Sequence, residues 1–198
     1  MPFPFSSPPP RLPAEPASAL VPNASITELK TRARIGLHAL RAGDASIVAR
    51  ARAVSGQRCA MPLAWRLGHC LAFAAQGVGF RSWDQARQVL GGHADAGHDA
   101  GTFWHAPRCE SLVNHWFANL AAARDGLATL PGHVLLPYRR QFVVVNSHYL
   151  EALGVPAEVS DWHEAGRDLV AAYGTAPWRR LCAARTRAPL ENWLPATT

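Results

Sequence analysis

The segment Phe103–Leu120, FWHAPRCESLVNHWFANL, decides how the second half of the chain is read. It sets two Trp, two Phe, two His and one Cys within eighteen residues, and the loop before it adds His93 and His98. Two readings fit. Cys109, Leu112, Val113, Trp116, Phe117, Leu120 and Leu127 recur at three- and four-residue steps. That spacing predicts a helix opening at Pro107 and running to Gly126 or Pro131, with the stripe buried. Alternatively, His93, His98, His105, Cys109 and His115, with Asp95 or Asp99, offer ligands suited to zinc or iron. Helix geometry constrains the second reading. Cys109 and His115 are six residues apart, about 600° around a helix, so they point about 120° from each other. Only His105 and Cys109, four apart, would converge, and the expectation is a chain without metal or cofactor.

Working upstream, Gly91–Gly101, GGHADAGHDAG, holds no apolar residue larger than Ala and reads as a linker. Residues 25–92 before it read as a four-helix module. Ser25 and Glu28 form a capping box for a helix ending near Gly43, and Asp44 caps a second through Val54. Pro62 opens a third, whose stripe is Leu63, Leu67, Cys70, Leu71, Ala74 and Val78. Ser82 and Gln85 cap a fourth. Residues 1–24 carry eight of the sixteen prolines and are expected to form a disordered tail rather than a secretory leader.

Downstream, Val134–Val145, VLLPYRRQFVVV, is the one convincing strand signal, broken in two by Pro137. Asn146 caps a short helix to Gly154, Ser160 or Asp161 another to Gly174, and Thr175 with Pro177 opens a last one. The fold class is therefore mainly α with one small β element (α+β). Its expected organisation is tail 1–24, module 25–92, linker 93–102, helical region with the β element 103–188, and tail 189–198. The aromatic faces of the two halves are expected to pack across the linker, Trp65 or Trp83 near Trp104 or Trp116.

The segments LKTRARIGLHALRAGD and RLGHCLAFAAQGVGFRSWDQARQVL, within residues 29–90, resemble a helical module found ahead of ankyrin repeats and in some glyoxalase-related bacterial proteins. Its recognisable ending is GF-x-SW, here Gly79, Phe80, Ser82 and Trp83. The second half, with CESLVNHWFANL and LLPYRRQFVVV, resembles a family of small proteobacterial proteins. The resemblance implies a shared fold and no activity. No 33-residue ankyrin period follows.

Composition narrows the function classes. Nineteen arginines and one lysine against fourteen acids give a net charge of +6, which suits anionic partners. The four cysteines lie at spacings that match no zinc or disulfide framework, as expected of a reducing cytoplasm. No run of eighteen apolar residues offers a membrane span. Three functions stay open. The first is a non-enzymatic cytoplasmic binding or regulatory protein with a protein partner. The second is a small enzyme with a pocket between helix 107–126 and segment 134–145, using Cys109, His115, Tyr138 and Arg140. The third is a nucleic-acid binder using Lys30, Arg34 and Arg41 on the basic face of the first helix. Within the second half, Tyr138, Arg139, Arg140 and Gln141 form the best candidate for a small-anion site.

Overall fold

The computed structural model describes residues 23–49, 65–95 and 98–189. The fold is mainly helical around one small sheet. Helix α1 (Ala24–Arg41) is capped by Asn23, whose side chain accepts from the Ile26 N–H at 3.0 Å, so the cap sits two residues before the expected Ser25. Asp44 caps a following helical turn at 45–49 as expected. The rest of that predicted helix, Pro62, both tails beyond 23 and 189, Arg50, Arg52 and Cys59 lie outside the described residues. Helix α2 (Leu67–Gln76) and helix α3 (Trp83–Gly91) follow. The Ser82 Oγ accepts from Gln85 N–H at 3.1 Å, and the Gln85 side chain accepts from Arg81 N–H at 2.8 Å.

The expected helix 107–126 does not form as one element. A 3-10 turn at Pro107–Cys109 leads into strand β1 (Asn114–Phe117), and helix α4 (Leu120–Thr129) begins only after it. Strand β1 pairs antiparallel with β3 (Gln141–Val145), whose other neighbour is β2 (Val134–Tyr138), in the order β1-β3-β2. The apolar run 134–145 breaks at Arg139–Arg140 rather than at Pro137. Pro137 stays in β2, an edge strand, where a missing N–H is tolerated.

The pleat sorts the sheet's residues by parity. Leu135 and Val144 pack with Ala123 of α4 on one face. Val134, Leu136, Val143 and Val145 enter the main core on the other. That core also takes Leu29 of α1, Val89 and Leu90 of α3, Phe103 and Trp104, so it draws on both sides of the 91–101 loop. Leu40, Ala33 and Cys70 form a smaller cluster with Trp65 against them.

Three further helices close the core: α5 (Ser147–Ala152), α6 (Ser160–Glu164) and α7 (Ala176–Arg187). Asn146 caps α5 as expected, its side chain accepting from Tyr149 N–H. The helix predicted to reach Gly174 stops at Glu164, because Gly166 and Arg167 take positive φ (63° and 60°). The chain after it touches β2 through a parallel bridge, Leu135 to Asp168. Of the expected aromatic contacts, Trp83 and Trp104 join the same core, while Trp65 packs on His69 and Phe73 and Trp116 on His105 and Tyr138. No described helix is long and apolar enough to cross a membrane.

Candidate ligand cavity

The sequence-selected residues separate once folded. Cys109 is fully buried beside the Tyr149 hydroxyl and the Arg185 guanidinium. Burial raises its pKa despite the Ala106 hydrogen bond and the two nearby arginines, which keeps the thiol neutral at pH 7. Burial pushes Cys182 up further. His115 lies on β1, exposed, with its ring near His133 rather than Cys109. His105 is half-buried. Its Nδ1 is 2.7 Å from the Tyr149 hydroxyl, and its ring lies among Trp116, Tyr138 and Tyr149. Burial lowers its pKa, so the neutral imidazole is favoured. Among the described residues no three His, Cys, Asp or Glu side chains converge as metal ligands. Lys30, Arg34 and Arg41 are exposed on α1, Arg41 reaching the Trp65 carbonyl at 3.5 Å.

The Cys109 environment makes a direct prediction. A soluble thiol reagent is expected to leave Cys109 and Cys182 unmodified in the native protein and to label both only on unfolding, since each is closed to solvent and protonated. Native-state mass spectrometry showing rapid labelling of Cys109 would contradict this.

What the fold does assemble is a cavity of about 330 Å³. Val89 and Leu90 reach it from α3, Phe103 and Trp104 from the stretch after the loop, and Phe142 from β3. Leu169 and Tyr173 come from the segment before α7, and Trp178 and Cys182 from α7 itself. The interior is thus apolar and strongly aromatic. The exposed polar residues mark its mouth, Asp95 from the loop and Arg139 and Arg140 from the β2–β3 turn, whereas His98, also in the lining, is half-buried with its Nε2 closed to solvent and without a hydrogen-bond partner among the described residues.

Both sides of the mouth are held in place. The described parts of the loop expected to lack an anchor, 94–95 and 98–101, are tied down at several points. Ala94 packs on the main core and its N–H donates to the Tyr173 hydroxyl at 2.9 Å. The Gln85 amide donates to the Asp99 carbonyl at 2.7 Å, and Asp99 accepts from Gly101 N–H at 2.8 Å. The turn and the loop are then joined by two main-chain bonds: Arg139 N–H to Gly101 O at 2.7 Å, and Ala100 N–H to Arg139 O at 2.9 Å.

Arg139 itself has φ of 52°, a conformation that costs a non-glycine residue roughly 1–2 kcal/mol. Hairpin turns of this length ordinarily place glycine or asparagine at such a position. Its guanidinium lies over the Tyr138 ring, 5.4 Å from the centroid. The ion pairs among the described residues join Arg32 to Glu28, Arg87 to Asp84, Arg124 to Asp168, and Arg180 to Asp161 and Glu164. Neither Arg139 nor Arg140 takes part in one. Of the four residues selected from sequence as an anion site, Arg139 and Arg140 line the cavity, Tyr138 supports Arg139, and Gln141 is exposed at the start of β3. The apolar lining had no local signature, because it is drawn from segments between Val89 and Cys182.

No family model, no curated protein and no solved structure matches this chain. Its chemistry must therefore be read from its own residues.

Proposed function

We propose that this chain is a binding protein, and that its cavity takes a small amphipathic anion. The apolar body of the ligand fills the aromatic interior, and its carboxylate meets Arg139 and Arg140 at the mouth. Guanidinium groups suit this task because their fork matches a carboxylate bidentately. An apolar cavity with a few fixed polar groups at one end is also the common form of a small-molecule site. The setting we propose is the reducing cytoplasm, where buried thiols such as Cys70, Cys109 and Cys182 stay free.

One observation carries the reading: a strained arginine, held by two main-chain bonds, stands with a second arginine outside any described ion pair at the mouth of an apolar cavity. Backbone strain of this kind persists where the surroundings enforce it, and often marks a site of use. A binding role is favoured over catalysis because the thiol at the cavity wall, Cys182, is held protonated by burial, and Cys109, His115 and Tyr138 are not among the cavity's lining residues.

The test pairs stability with affinity. Arg139→Gly is expected to raise folding stability by about 1 kcal/mol, because glycine adopts positive φ without a steric penalty. The same change should weaken binding of aryl and alkyl carboxylates by about tenfold or more, the worth of one charge-assisted contact. Arg140→Ala should weaken binding similarly with stability unchanged. Titration calorimetry against a panel of such acids and their neutral amides decides it. Amides that bind as tightly as the acids, or a panel that does not bind at all, would defeat the reading.

A further inference from the structure

We infer that the ligand is a zwitterion, an α-amino acid with an aromatic side chain, and that Asp95 receives its ammonium group. This rests on the reading that the cavity holds an anionic group at Arg139 and Arg140. It adds a second pole, and a different residue carries it.

Asp95 lines the same mouth as the two arginines. It is absent from the ion pairs of the described residues, so no guanidinium there lies within pairing distance of it. Nor is it a loose acid on a free loop. The preceding residue is bonded to the Tyr173 hydroxyl, the Asp95 carbonyl accepts from His98 N–H at 3.0 Å, and the far end of the loop is stitched to Arg139. One carboxylate and two arginines therefore line one cavity, none of them in an ion pair among the described residues.

That pattern discriminates between ligands by sign. A simple organic acid gains the arginines but brings its carboxylate toward Asp95, and like charges placed together are costly. A simple amine gains Asp95 but faces two guanidiniums. A ligand bearing both charges on one carbon meets attraction from each side, and its net charge of zero lets the aromatic body enter without carrying an uncompensated ion. The interior suits a ring. Its lining already pairs rings, Phe103 with Trp104 edge to face at 5.1 Å and Tyr173 with Trp178 at 4.8 Å.

Three probes of nearly equal size isolate the poles: L-phenylalanine, 3-phenylpropanoate, which lacks the ammonium, and phenethylamine, which lacks the carboxylate. In titration calorimetry on the full chain, L-phenylalanine is expected to bind at least about tenfold tighter than either relative. In Asp95→Asn that advantage over 3-phenylpropanoate should vanish, with 3-phenylpropanoate binding as well as or better than to the original chain. Asp95 is exposed, so the variant should fold normally, which circular dichroism checks. If 3-phenylpropanoate or phenethylamine binds the original chain as tightly as L-phenylalanine, the zwitterion inference is overturned. In the case of 3-phenylpropanoate the acid-binding reading survives. Failure of all three to bind overturns both.

Discussion

Exchanging Arg185 for lysine is expected to lower folding stability by about 3–5 kcal/mol, more than exchanging it for methionine. Arg185 is wholly buried on α7. Its Nε donates to the Phe103 carbonyl at 3.2 Å, and one terminal nitrogen donates to the Leu153 carbonyl at the C-terminal end of α5. Burial pushes its pKa down to about 9, which still leaves it charged at neutral pH. The charge itself is a cost here, and what offsets it is the planar fork that reaches two carbonyls in different segments. Lysine loses the fork, and its more strongly hydrated ammonium must either stay charged in the core or give up its proton there, each at a cost. Methionine removes the charge and takes this donor from the Phe103 and Leu153 carbonyls, at roughly 1–3 kcal/mol each, partly repaid by the desolvation it avoids. Denaturant titration of the three proteins should therefore rank them arginine, methionine, lysine. Lysine within about 0.5 kcal/mol of the original would show that the fork contributes little.

Short-range signals were legible and long-range ones were not. The caps at Asp44, Ser82 and Asn146 could be read because a cap involves a side chain and an N–H two or three residues away. The stripe from Cys109 to Phe117 misled because three- and four-residue spacing is a helix signal only when the stripe is buried on one face. Here Val113 is 74% exposed and Trp116 43%, and the register of β1 is set by β3, some thirty residues on. The arginine pair stood out because a charged turn interrupts an apolar run. That this turn abuts Ala100 and Gly101 depends on main-chain bonds no local pattern announces. Composition made that loop look unanchored, since apolar content measures only one kind of anchor.

Gly79→Ala is expected to cost about 3 kcal/mol or more, through two effects that separate experimentally. Gly79 has φ of 89°, and a Cβ there would lie 2.5 Å from Thr102 Oγ1, 2.8 Å from Thr102 C and 2.9 Å from Phe103 N. The approach is this close because Thr102 N–H donates to Gly79 O at 2.8 Å, while Phe80 stacks on Phe103 with centroids 5.5 Å apart. The end of α2 is thus sutured to the segment that supplies Phe103 and Trp104 to the cavity wall. This gives a physical reason for the glycine in the Gly79, Phe80, Ser82, Trp83 motif. Gly43→Ala isolates the backbone effect, since Gly43 has φ of 78° with nothing within 4 Å of a Cβ, and should cost roughly 1–2 kcal/mol. Gly36→Ala, in α1 with open space around it, should stabilise by about 0.5–1 kcal/mol. The excess of Gly79→Ala over Gly43→Ala then measures the suture. Because the new methyl group must displace backbone at Thr102 and Phe103 rather than a flexible side-chain tip, ligand affinity should fall along with stability. A Gly79→Ala cost no larger than that of Gly43→Ala would mean that the segment yields freely and that the cavity wall is not fixed from this side.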